Sequence, residues 1–110
     1  MSELREKQSI FVLNVARLII WCYDNGYELT FGEALRTPEQ QAIYVAKKLS
    51  KTSNSKHLIK LAIDLNLFIG GIYQTDEEAY RPLAEYWKTL NTDNVAGYDW
   101  GWDANHFEMN

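Results

Sequence analysis

The chain has 110 residues, 46% of them hydrophobic and 24% charged, and a formal net charge of −4. That length holds one domain, residues 1–110, with a modest core, and the composition belongs to folded chains rather than disordered ones. The acidic balance leaves no basic stripe for nucleic acid, and one cysteine, Cys22, excludes an intrachain disulfide.

Residues 3 to about 25 read as a helix. Phe11, Val15, Leu18 and Cys22 recur at helical spacing, flanked by Val12 and Ile19, and Asn25-Gly26 supplies a stop. Cys22 reads as a small buried hydrophobe. The apolar run "IFVLNVARLIIWCY" is broken by Asn14 and Arg17 and falls short of the roughly 20 residues a bilayer span needs, so no stable membrane insertion is expected. Polar "MSELREKQS" precedes it and no small-residue cleavage site follows, so it does not read as a signal peptide.

"YELTF" alternates Tyr27, Leu29 and Phe31 against Glu28 and Thr30, the pattern of a half-buried strand. "RTPEQQAIYVAKKL" reads as a helix with Thr37 as N-cap, Pro38 at the first position and Gln40 in the capping box. Its apolar face is Ala42, Val45, Ala46 and Leu49. A polar loop, "SKTSNSKH", leads to a strand over roughly Leu61 to Phe68 and a turn at Gly70-Gly71. Thr75 with Glu78 marks a helix opening that runs to about Leu90, with Pro82 implying a kink or a late start. "NTDNVAGYDWGWDAN" reads as an irregular loop, and "HFEM" as a final short strand. Four tryptophans and seven tyrosines fit an aromatic core or an aromatic-lined cleft. The order of elements gives an α+β class, helices packed on a mainly antiparallel sheet.

An aspartate inside "LAIDLNLF" is costly to bury unless something pairs with it. Strand alternation puts Ile63, Leu65 and Leu67 on a core face, and Ala62, Asp64 and Asn66 on the other. In "NHFEM" it puts His106 and Glu108 on one face, Phe107 and Met109 on the other. His57 lies just upstream of the first strand. Two histidines and an aspartate are the usual complement of a hydrolytic zinc site with a fourth position left open. Asp103, three residues before His106, is within reach as a base. Glu108 reads equally as a residue orienting a ligand and as a strand-edge charge. Trp100 and Trp102 read as core anchors or as walls of a substrate cleft.

"SKHLIKLAID" resembles the S-x-H-x-x-G-x-A-x-D signature of peptidase family M15, the zinc D-alanyl-D-alanine carboxypeptidase family. "WDANHFE" resembles that family's second signature, and "LRTPEQQ" its arginine segment. Compact size and the absence of a secretion signal are most similar to the branch of bacteriophage endolysins that are L-alanyl-D-glutamate peptidases. The resemblance implies the small fold shared with the hedgehog signalling domain. It implies His57, Asp64 and His106 as ligands of Zn²⁺, Asp103 as general base, Arg36 as the group that meets the oxyanion, and Ser55 as hydrogen-bonding support. It implies a metallopeptidase of peptidoglycan stem peptides, cutting L-alanyl-D-glutamate bonds or, in the alternative, D-alanyl-D-alanine bonds. A monomer made in the host cytoplasm and released onto the cell wall at lysis is the matching expectation. A non-catalytic zinc-containing wall-binding module is the other reading. It rests on one departure: Lys60 stands where the family has glycine, a position that an ordinary backbone would let lysine fill.

Overall fold

The computed structural model describes residues 3–32 and 56–110, apart from the side chain of His57. The helix expected over "RTPEQQAIYVAKKL", together with Arg36 and Ser55, lies outside the described residues.

Helix α1 spans Glu3–Asp24 and buries Phe11, Asn14, Val15, Leu18 and Cys22. Burial pushes the Cys22 thiol up to about 12, which makes it an inert packing group rather than a nucleophile. Gly26, at φ 81°, lets the chain reverse into strand β1, Glu28–Phe31. Among the described residues no helix is long and apolar enough to cross a membrane.

Strand β2, Ala62–Ile69, is the centre of the sheet. It turns at Gly70 and Gly71, φ 60° and 78°, into the two-residue strand β3, Ile72–Tyr73. Two successive positive φ values are what a tight hairpin requires, and glycine supplies them without strain. Strand β4 is Asn94–Ala96 and β5 is His106–Met109. The strands run in the order β1-β2-β5-β4, with β3 paired to β2, and every pairing is antiparallel.

The third expected helix begins differently. Asp76, not Thr75, makes the cap: its Oδ1 accepts from the Glu78 amide at 3.0 Å, opening a 3₁₀ turn at Glu77–Tyr80. The α-helix, α2, then runs Arg81–Leu90, with Pro82 in its first turn, where a missing N–H loses no hydrogen bond. The late start follows from that proline.

One face of the sheet carries Ile63, Leu65, Leu67, Phe107 and Met109, all buried against the two helices. Trp87 of α2 is the keystone. Its ring meets Phe11 at 5.6 Å and Phe107 at 5.9 Å, both edge-on. Its indole N–H donates to the carbonyls of Val95 and Glu108, at 3.1 and 3.2 Å. The helix thus grips β4 and β5 with an apolar ring and a satisfied polar tip. Tyr80 does the same for β2, where its hydroxyl accepts from the Leu67 amide at 3.0 Å.

Two further expectations change. Phe31 is 69% exposed, not half-buried. It sits opposite Leu65 at the sheet edge and lines an apolar groove of about 400 Å³ with Phe11, Val12, Val15 and Ile63. The stretch read as an irregular loop contains β4, which is too short, at three residues, to show a period.

Candidate metal centre

The second face of the sheet gathers the chemistry. The β2–β5 register sets Asp64 directly opposite His106, and Ala62 opposite Glu108. Opposed residues of antiparallel strands share a face with Cβ atoms about 5 Å apart, so the two side chains must meet. Asp64 Oδ1 lies 3.2 Å from His106 Nδ1. On the other side of the ring, His106 Nε2 lies 2.7 Å from Glu108 Oε1.

The tight turn before β5 adds a third carboxylate. The His106 amide donates to the Asp103 carbonyl at 3.1 Å, which folds Asp103 back over the imidazole. Asp103 Oδ2 is 3.7 Å from Nδ1. The His106 side chain is 6% exposed, Asp64 17% and Asp103 28%. His106 is therefore a floor residue and Asp103 the one that solvent reaches most easily.

Burial alone would hold His106 neutral. The hydrogen bonds to Asp64 and Glu108, with the charges of Asp103 and Asp64, outweigh it and raise the imidazole to about 9. A cation is wanted at this point. With Nε2–H donating to Glu108, Nδ1 offers a lone pair toward Asp64 Oδ1. Two acceptors 3.2 Å apart need a proton or a metal between them. The spacing matches two ligands of one tetrahedral zinc, whose donors at 2.0–2.1 Å stand about 3.3 Å from each other. Imidazole nitrogen and carboxylate oxygen are also donors zinc accepts, so the described residues fit the ion. Asp64 and His106 would provide two of its ligands. Among the described residues no group of three His, Cys, Asp or Glu is assembled for a metal, and the side chain of His57 is not among them.

The backbone of His57 is described. It sits in a 3₁₀ turn, Lys56–Ile59, that ends where the Leu61 amide donates to the Lys56 carbonyl at 3.0 Å. This six-to-one closure demands a left-handed residue one position earlier, and Lys60 has φ 61°. The backbone at Lys60 is thus not the ordinary one that would seat a lysine without strain. The residue that breaks the glycine pattern stands where glycine is favoured.

Two glycines that the sequence reading did not single out shape the site. A Cβ on Gly97 would lie 2.0 Å from the Asp103 carbonyl oxygen and 2.9 Å from His106 Cβ. Only a glycine lets the Asp103–His106 turn lie against the end of β4. Gly32 also crosses close to Asp64, its Cβ position 2.9 Å from the aspartate Cβ, and its amide donates to the Asp64 carbonyl at 2.8 Å. For Gly97 the available signal is a glycine that opens an aromatic-acidic run, "GYDWGWD".

Trp100 and Trp102 are not core anchors: they are 39% and 46% exposed. Trp100 lies 5.2 Å from the His106 ring, centroid to centroid, and Trp102 stacks on Trp100 at 5.8 Å and 28°. Gly101 between them has φ 83°, and this reversal lets residues two apart lay one ring over the other.

Comparison with known proteins identifies the family and the fold. The family model described as D-alanyl-D-alanine carboxypeptidase, a branch of peptidase family M15, matches residues 48–109, and the chain belongs to that family. It is 31% identical over 99 residues to the L-alanyl-D-glutamate peptidase of Listeria phage A118. That match takes in 86% of this chain but 32% of the phage protein, so the chain spans about a third of that relative's length. Among solved structures it resembles the L-Ala D-Glu endopeptidase ChiX of Serratia marcescens, with a TM-score of 0.72, 20% identity, and coverage of 99% of this chain and 87% of ChiX. It also resembles the vancomycin resistance D,D-pentapeptidase VanY of the VanB-type cassette, in complex with Zn(II). There the TM-score is 0.61 at 21% identity, with coverage of 90% of this chain and 70% of VanY. These two likenesses establish the fold.

Proposed function

We propose that this chain is a zinc-dependent peptidase of peptidoglycan stem peptides that hydrolyses the L-alanyl-D-glutamate amide. The observation that carries the reading is the partly buried Asp64–His106 pair, a carboxylate oxygen and an imidazole nitrogen 3.2 Å apart with Glu108 behind the ring. Family membership and the phage A118 peptidase support it.

In this reading His57, Asp64 and His106 hold the zinc, and the ion supplies Lewis-acid polarisation of the scissile carbonyl and an acidified water. The chain's own groups do the rest. Glu108 accepts from Nε2–H and so fixes the tautomer that leaves Nδ1 a ligand. Asp103, on the open side of His106, takes the proton of the attacking water and returns it to the leaving amine. Arg36 meets the negative charge that develops on the carbonyl oxygen, a role suited to a group that never loses its own charge. Ser55 supports the site by hydrogen bonding. The protein acts as a monomer, made in the host cytoplasm without inserting in the membrane, and meets the wall at lysis.

An Asp103→Asn variant tests the assignment. It should bind zinc as the parent does and lose at least about 100-fold in turnover, the scale of general-base catalysis. Undiminished cleavage would remove Asp103 from the mechanism.

A further inference from the structure

The two exposed tryptophans are not used by the metal centre or by the core. His106, Trp100 and Trp102 form one row of rings: His106 meets Trp100 tilted at 5.2 Å and 37°, and Trp102 stacks on Trp100 at 5.8 Å. It leads from a side chain that is 6% exposed to a ring that is 46% exposed. The outer ring of the row therefore lies within about 11 Å of the imidazole. The Gly101 reversal, with its amide donating to the Tyr98 carbonyl at 3.1 Å, fixes the same arrangement from the backbone.

We infer that Trp102, backed by Trp100, is a subsite for the N-acetylhexosamine that carries the stem peptide. This rests on the proposed L-alanyl-D-glutamate specificity. In that substrate the alanine nitrogen is acylated by the lactyl group of the muramic acid. One residue and one lactyl unit separate the scissile carbonyl from the sugar ring, a reach of about 7 Å by extended-chain dimensions. A carbonyl at the Asp64–His106 pair thus keeps the pyranose within the distance that the row of rings spans. A pyranose presents an apolar C–H face, and an indole face, which is electron-rich, packs against such hydrogens. Leucine or valine would cover the same area but would lack that quadrupole, which makes a paired tryptophan platform a choice for sugar over peptide. A D-alanyl-D-alanine bond lies at the far end of the stem, so an enzyme of that bond gains nothing from a sugar site here.

The test compares two soluble substrates with the zinc-loaded protein: N-acetylmuramoyl-L-alanyl-D-isoglutamine and its sugar-free counterpart, N-acetyl-L-alanyl-D-isoglutamine. The parent should favour the muramoyl form by at least about 10-fold in kcat/KM. Trp102→Ala should reduce that ratio to below about 3, chiefly through KM, and Trp102→Phe should restore most of it. A ratio near one in the parent, or one unchanged in Trp102→Ala, overturns the subsite while leaving the peptidase intact. If neither substrate is cut, the proposed peptidase specificity fails, and the subsite is judged by binding alone. Titration with N-acetylmuramic acid should then shift the indole N–H resonances of Trp100 and Trp102 ahead of the other two tryptophans. No selective shift at tens of millimolar sugar overturns it.

Discussion

Asp64 and His106 face each other across two antiparallel strands with Oδ1 and Nδ1 3.2 Å apart, and nothing but a proton or a metal ion suits the gap. Strand register does the positioning. Each residue is the polar member of an alternating strand whose other members, Ile63, Leu65, Phe107 and Met109, are locked into the core. A one-residue slip would turn both side chains inward, so the core that stabilises the sheet also aligns the pair.

The metal-free protein should lose stability as pH rises. His106 is raised to about 9 by its carboxylate partners, above the 6.5 of an unfolded histidine. The folded state then binds the proton more tightly than the unfolded state. Its contribution, on the order of 3 kcal/mol, is fully present below pH 6.5 and is gone above pH 9. Thermal melts of the apo-protein between pH 6 and 10 should show the decline, and saturating zinc should flatten it. A Tm of the apo-protein that rises through this range contradicts the protonated His106.

Glu108→Ala removes the acceptor behind the imidazole. Zinc affinity should fall by about 10- to 100-fold, the usual consequence of losing a group that orients a ligand. The His106 resonance in the metal-free variant should titrate below the parent's value. Unchanged zinc affinity in a competition titration would make Glu108 a strand-edge charge only.

Lys60→Gly should stabilise the protein by about 1 kcal/mol, because a side chain at φ 61° carries left-handed strain that glycine does not. The gain is partly offset by the greater freedom of glycine in the unfolded chain. Zinc affinity should not change, since Lys60 closes the His57 turn and contributes no ligand. Urea denaturation with a shift to lower midpoint would contradict this account of the turn.

Much of the architecture is legible in the sequence because its period is strong. Helix α1, the alternation of β2 and the faces of "HFEM" follow from spacing alone. So does the placement of Asp64 and His106 away from the core. The strand β4 was hidden because three residues give no period. The opening of the helical segment at 77–90 was misplaced because Thr75 and Asp76 are both good caps, and only the accepted Glu78 amide distinguishes them. The tryptophans deceive for a general reason: a large apolar residue predicts burial, and a binding face is where that rule fails. Lys60 shows the limit most clearly. The residue type argues for an ordinary backbone, while the turn it must close requires a left-handed one.

Digestion of purified peptidoglycan, with and without a zinc chelator and with labelling of newly exposed amino groups, reads out which bond is cut and whether zinc is needed. New N-terminal D-glutamate should appear, and should disappear when zinc is removed. Released D-alanine in its place would contradict the bond assignment. No new amine from a zinc-loaded, folded protein would contradict the peptidase itself and leave a module that binds the wall without cutting it.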